Sequence, residues 1–187
     1  MTTKKKEKGS IAIAHRHLLD ENVIIIPTDT VYGFSGMMGS KAEQTLCKIK
    51  KRDTKKHLIY LVADPHDVLE YIDTNFYTDE ELAYLTSFWP APLSIIFKTR
   101  NKDTIAFRCP DDVWLRSLIS SVGLPIFSSS ANISGRTTIT NILELETTFE
   151  KEVSLIIDAG IIEGLSSTIF DASNHPFSII RKGSFQF

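Results

Sequence analysis

The chain is poor in several of the features that usually announce a function. It has two cysteines, Cys47 and Cys109, too few and too far apart for a metal cluster or a disulfide framework, so reduced thiols are expected. No apolar run approaches the ~20 residues that span a bilayer, so no membrane partner is expected. The start, MTTKKKEKGS, is basic but leads into no apolar signal core. That pattern predicts a cytoplasmic protein with a disordered basic tail over residues 1–9. No repeat, low-complexity segment or linker follows, and residues 10–187 read as one domain.

Motifs for common chemistries are absent too. Gly33, Gly36 and Gly39 are spaced G-x-x-G-x-x-G, neither the dinucleotide fingerprint nor a phosphate-binding P-loop. No G-x-S-x-G elbow accompanies the serines, which argues against a serine hydrolase. None of the five histidines has HExxH-like spacing, and His15 and His17, two apart on a helix, face different ways. No protein-ligated metal is expected.

What is present alternates between strand and helix. Ser10 is positioned to cap a helix running to about Asp20, and Val23–Ile26 is a β-branched run typical of a buried strand. Ser40 with Glu43 and Thr78 with Glu81 form capping-box patterns that open two further helices. Trp89-Pro90-Ala91-Pro92 stops the second of these. Leu58–Val62, Ser94–Lys98, Thr104–Arg108 and Pro125–Ser128 read as strands, as do three closing segments at 154–158, 167–171 and 177–181. Residues 110–121 and 141–150 read as helices. This interleaving predicts an α/β fold: a twisted sheet of mixed parallel and antiparallel strands, covered by helices.

Against a net charge of only −2, the stretch KIKKRDTKK (48–56) carries six cations and one anion. It is either the solvated end of a helix, where cations complement the dipole, or a site for a polyanion such as a polyphosphate or nucleic acid. PTDTVYG (27–33) packs two hydroxyls, a carboxylate, a phenol and a glycine at the end of an apolar strand, where open α/β sheets bind ligands. A polar turn with Asp29 capping local amides is the alternative. In SSSANISG (128–135), an extended backbone would point Ser128, Ser130 and Asn132 to one side, a row suited to phosphate or ribose, unless the segment is a plain polar loop. Arg108 and Arg181 each end a strand, placed either to fork around an anion or to snorkel from an edge.

Taken together, PTDTVYG, the K-x-R of Lys50 and Arg52, WPAPLS (89–94), AFRCPD (106–111), SSSANISG, SSTIFD (166–171) and IIRKGSF (179–185) resemble the YrdC-like family of threonylcarbamoyl-AMP synthases over about residues 11–185. The resemblance implies a YrdC-like fold and formation of threonylcarbamoyl-AMP and pyrophosphate from L-threonine, bicarbonate and ATP, with Mg²⁺ accompanying the ATP. The product would serve threonylcarbamoyladenosine modification of tRNA, with tRNA and the threonylcarbamoylation complex as partners.

By the same resemblance Lys50 and Arg52 are the catalytic pair. The ATP site is Lys50, Arg52, Ser128, Ser130, Asn132 and Arg181, and the threonine site is Thr28, Thr30, Tyr32 and Arg108. Family members often carry prolines just after the K-x-R; here Asp53 and His57 stand there, and residues 53–57 are read as a loop that closes over the nucleotide. Ala91 and Ser129 replace a common glycine and threonine. The chemistry suits the residues, because a carbamate attacking the α-phosphorus needs positioning and positive charge rather than an enzyme nucleophile. The competing reading is a non-catalytic double-stranded RNA-binding paralogue of the same fold, for which cations spread over a face with stacking aromatics would be needed.

Overall fold

Three consecutive isoleucines form β2 (Ile24–Pro27), too short a run for a helix and buried on both faces. The computed structural model describes residues 1–51, 58–133 and 135–187, and among them β2 belongs to a ten-stranded sheet. The other strands are β1 (Thr2–Lys4), β3 (Tyr32–Met37), β4 (Ile59–Leu61), β5 (Leu93–Lys98), β6 (Thr104–Arg108), β7 (Ile126–Ser130), β8 (Leu155–Asp158), β9 (Thr168–Asp171) and β10 (Ser178–Arg181). Their spatial order is β1-β8-β2-β3-β7-β4-β6-β5-β9-β10, with parallel pairs at β1–β8, β2–β8, β4–β6 and β5–β9 and antiparallel pairs elsewhere. Five helices cover it: α1 (Ser10–Leu19), α2 (Lys41–Ile49), α3 (Asp79–Ser87), α4 (Val113–Val122) and α5 (Ile142–Phe149). The mixed sheet with helical cover is the expected class. Among the described residues no helix is long and apolar enough to cross a membrane.

The structure departs from the sequence reading at four places. Residues 1–9, expected to be disordered, include β1, which pairs with the outer side of β8 and buries Thr3. The ammonium of Lys5 also reaches the carboxylate of Asp112, so the tail is tied at two points. An unpaired edge of β8 offers N–H and C=O groups that even a polar segment can satisfy. The second departure is β3, which begins in the last two residues of PTDTVYG and has no counterpart in the sequence reading, because Gly33, Ser35 and Gly36 give it no apolar alternation. Gly36 is needed there, since a Cβ would lie 2.6 Å from the Ala42 Cβ and from the Phe127 ring.

The other two departures concern caps. Gly9, at φ 87°, precedes α1, while Ser10 donates to the Lys5 carbonyl at 2.8 Å instead of capping. Ser40 caps α2 through the Ala42 amide, but Glu43 receives Gly39 N–H and the Tyr60 hydroxyl rather than closing the box. Thr78 and Glu81 do form the reciprocal box on α3.

Strand alternation and the observed register sort the side chains onto two faces. Tyr32, Phe34, Tyr60, Phe107, Phe127, Ile95, Phe97 and Phe170 share one face and pack into two apolar clusters beneath α2, α5 and α3. The opposite face is covered in part by α1 and α4, whose Ala14, Leu18, Leu115 and Leu118 pack on Ile24, Ile26, Leu61 and Ile126. The remainder of that face is a cleft.

Candidate functional site

The floor of the cleft follows from register. Ser128 of β7 stands opposite Ile59 of β4, Ile59 opposite Ala106 of β6, and Ala106 opposite Ile96 of β5. One row further along lie Arg108 of β6, Ile169 of β9 and Arg181 of β10. An apolar strip is thereby bordered by hydroxyls on one side and guanidinium groups on the other. The cleft holds about 380 Å³, and its lining also includes Thr30, Lys50, Ser129, Ser130, Asn132 and Ser167. That volume suits a small molecule.

Lys50 reaches this face from the far side of the sheet. It follows the last turn of α2, whose Ala42 and Leu46 are buried in the opposite cluster, and its ammonium passes 5.6 Å from the Phe34 ring centroid. There it donates to Ser130 O at 2.6 Å, Asn132 Oδ1 at 2.9 Å and Ser129 Oγ at 3.2 Å. The Ser130 hydroxyl donates to the same Asn132 oxygen at 2.7 Å. The amide orientation of Asn132 is set from its other end, because Nδ2 donates to the carbonyls of Arg136 and Ile133. Lys50 is 5% exposed, and the Ser130 and Asn132 oxygens orient its ammonium at the cleft wall. Ser128 and Ser130 do share a face, as expected. Asn132 joins them through a bend after β7 ends, and Ser129, on the other face, turns to Lys50, which simple alternation does not reveal.

Opposite this wall, Arg108 ends β6 and is 3% exposed. Its Nη1 donates to Asp29 Oδ1 at 2.7 Å and to Thr30 Oγ1 at 3.3 Å. Burial depresses the arginine's affinity for its proton, and the Asp29 carboxylate opposes that shift. Asp29 therefore does more than cap a turn: it is the counter-ion of Arg108. Thr28 Oγ1 accepts from the amides of Thr30 and Val31 and donates to Val31 O, shaping the turn from beneath without lining the cleft. Beside Arg108, Arg181 grips Ser167 O through Nε and Nη2, at 3.1 and 2.7 Å, and Ser167 Oγ meets Ser94 Oγ at 2.8 Å. Partial burial lowers the Arg181 value as well.

Besides Thr28, one expected site residue is turned away from this group. Tyr32 falls on the opposite face, fully buried, where its hydroxyl donates to Gly160 O and accepts from Ala159 N. The reason is the alternation of β3, which sends Tyr32 and Phe34 away from the cleft. Arg52 lies outside the described residues, as does the whole of the loop read as a lid, 53–57. Residues that the sequence reading passed over are the floor, Ile59, Ala106, Ile96 and Ile169, together with Ser94 and Ser167. The alternation of β5 and β6 carried that signal once their pairing was known.

The second depression, about 280 Å³ between α4 and the turn at Pro65–Glu70, contains Asp64, Asp67 and Glu70. Asp64 and Asp67 are occupied as the reciprocal cap of that turn. In the cleft the balance is reversed: among its described lining residues are three cations and no carboxylate. That donor set offers an anion charge and hydroxyl partners, and offers Mg²⁺ no charged ligand. Among the described residues no group of three His, Cys, Asp or Glu side chains is arranged to hold a metal.

The Sua5/YciO/YrdC family model, described as telomere recombination, matches residues 16–183. A threonylcarbamoyl-AMP synthase of Baumannia cicadellinicola is 32% identical over 178 residues, covering 89% of this chain and 88% of that protein. The threonylcarbamoyl-AMP synthase of Pseudoalteromonas translucida is 29% identical over 179 residues, covering 90% and 96%. Among solved structures, P. abyssi Sua5 complexed with L-threonine superposes with a TM-score of 0.86 at 26% identity over 98% of this chain, which spans 57% of the P. abyssi chain. The chain belongs to the Sua5/YciO/YrdC family.

Proposed function

We propose that the cleft makes L-threonylcarbamoyl-AMP and pyrophosphate from L-threonine, bicarbonate and ATP. The observation that carries this reading is the pairing, across one apolar floor, of the Lys50–Ser130–Asn132 wall with the buried Arg108–Thr30 corner. Relatives along most of the chain bear the name of this activity, and a structural neighbour is complexed with L-threonine. In this assignment Lys50, Ser128, Ser130 and Asn132 hold the nucleotide, with Arg181 reaching its phosphates and Arg52 completing the K-x-R pair. Arg108 and Thr30 face the amino acid, and Thr28 supports them from below.

The chemistry asks little of the protein beyond placement. The threonine amine adds to the bicarbonate carbon with loss of water to give the carbamate. A carbamate oxygen then attacks the α-phosphorus, the bond to the bridging oxygen breaks, and pyrophosphate departs with its electron pair. Fixed positive charge at Lys50 and Arg181 stabilises the charge that develops on the phosphate oxygens, and the shaped cleft limits competing water. Mg²⁺ would accompany ATP as the counter-ion of its phosphates, since the described lining of the cleft offers it no carboxylate. The product would pass to the machinery that modifies adenosine in tRNA.

The test is incubation with ATP, Mg²⁺, bicarbonate and each amino acid in turn, with mass detection of the carbamoyl adenylate. The adenylate is expected with threonine and only when bicarbonate is present. Folded protein that forms none, yet binds duplex RNA, would establish the RNA-binding reading instead.

A further inference from the structure

We infer that Asp29 is a positioning residue, holding the Arg108 guanidinium in register with the cleft and through it orienting the amino-acid substrate. This rests on the assignment of Arg108 to the amino-acid end. Asp29 is absent from the cleft lining and its side chain is 7% exposed, so it acts on a ligand only through another group. Both its oxygens are engaged: Oδ1 accepts from Arg108 Nη1 at 2.7 Å, and Oδ2 accepts from the Asp111 amide at 3.1 Å. The second bond ties the carboxylate to the segment just after β6, the strand that bears Arg108, while Asp29 itself belongs to the β2–β3 turn. The guanidinium is thus held through Nη1 by two adjacent residues of one turn, Asp29 and Thr30, and the carboxylate that holds it is anchored in turn to a second chain segment at Asp111.

Two physical consequences follow. First, a planar donor group recognises a carboxylate only when its fork is aimed, and here the aim is fixed before any ligand arrives. Second, Asp29 cancels a charge that burial would otherwise leave uncompensated, so Arg108 contributes directed hydrogen bonds more than raw attraction. An asparagine has the same shape but cannot replace it. With one carbonyl oxygen it can accept from Arg108 or from the Asp111 amide, and its NH₂ then opposes the other donor.

The experiment measures kcat and KM for threonine and for ATP in Asp29→Asn, Arg108→Gln and the double variant. Asp29→Asn should raise the threonine KM by about tenfold or more, with the ATP KM moving less than about twofold. The double variant should be no worse for threonine than Arg108→Gln alone, since both changes remove one function. An unchanged threonine KM, an equal rise for both substrates, or multiplicative losses in the double variant would each overturn the proposal.

A measurement on the unaltered protein covers the case of a variant that fails to fold. The ¹⁵N signals of the Arg108 guanidinium, assigned by their loss in Arg108→Gln, should show slow rotation with separate Nη resonances. Averaged signals from a freely turning group would overturn the idea. If the protein makes no adenylate but these signals are restrained and are released in Asp29→Asn, the positioning role stands and the substrate assignment falls.

Discussion

The Lys50 ammonium donates to the side-chain oxygen of Asn132 at 2.9 Å, across 82 residues of sequence. Asn132 can serve because its NH₂ is turned to the carbonyls of Ile133 and Arg136, which leaves the oxygen for Lys50 and for the Ser130 hydroxyl. These five groups form one connected network, so each side chain depends on the orientation of the others.

Asn132 is therefore expected to be intolerant of both truncation and isosteric charge. Asn132→Ala removes a charge-assisted bond of about 1.5–3 kcal/mol, which corresponds to a roughly 10- to 150-fold fall in kcat/KM for ATP. Asn132→Asp should be at least as damaging. It neutralises Lys50, and its second oxygen then faces two carbonyls that now accept from Nδ2. Steady-state kinetics of both variants is the check, and an Asp variant within twofold of the parent would contradict the observed amide orientation.

The two guanidinium groups should separate by substrate. Arg108→Ala is expected to raise chiefly the threonine KM and Arg181→Ala chiefly the ATP KM, each by roughly 10- to 150-fold. Arg181 donates to Ser167 from the edge strand β10, whereas Arg108, beside it, is held by Asp29 and Thr30 of the β2–β3 turn. Apparent Michaelis constants for both substrates in both variants decide it; matched effects on the two substrates would remove the assignment.

A third prediction concerns the segment 159–167, which crosses above the β2–β3 turn. A Cβ on Gly164 would lie 2.0 Å from Thr30 O, a backbone atom that cannot swing aside. Gly164→Ala should therefore displace either the crossing segment or Thr30, at a cost of about 1–3 kcal/mol. At this chain length that corresponds to a fall of several degrees in Tm, on the order of 2–4 °C per kcal/mol. Threonine KM should rise with it, because Thr30 and Ser167 both line the cleft. Calorimetry and kinetics on this one variant test both parts.

Cys109 offers a pH-dependent reading of core integrity. Burial pushes its thiol up to about 11, with Arg116 opposing the shift. The folded state thus holds the thiol proton over a range where the unfolded chain, near the ordinary value of 9.0, releases it. Between about pH 9 and pH 11 the native state binds more protons, so this group's contribution to stability is complete below pH 9 and is lost as pH rises. Thiol alkylation followed by mass spectrometry at pH 8 should modify the half-exposed Cys47 first and reach Cys109 only on unfolding. Equal labelling of both in folded protein would contradict the buried placement.

Much of the local chemistry was legible in the sequence, though the Ser10 cap and the Glu43 half of the Ser40 box were not, since Lys5 O, Gly39 N and the Tyr60 hydroxyl claimed those side chains. The Thr78–Glu81 box and the Ser40 cap on α2 each join residues within one helical turn. The buried strands β2 and β8 declare themselves by β-branched runs. β3 does not, because its Gly-Phe-Ser-Gly run has neither alternation nor β-propensity and holds its place by pairing β2 on one side and β7 on the other. β1 is three polar residues that become a strand only where β8 presents an open edge.

The residue types in this chain determined by themselves an α/β domain and marked candidate anion sites: six cations in nine residues, serines and an asparagine at a strand end, and arginines closing two strands. Tertiary structure decided which of them meet. Register turned Ser128 and Arg108 to the cleft and Tyr32 away from it, since a strand's side chains alternate and its partner sets the phase. Pairing across the sheet also made Asp29 the counter-ion of Arg108, 79 residues away. Neither choice is written in any local pattern, because a buried charge finds its partner through packing rather than along the chain.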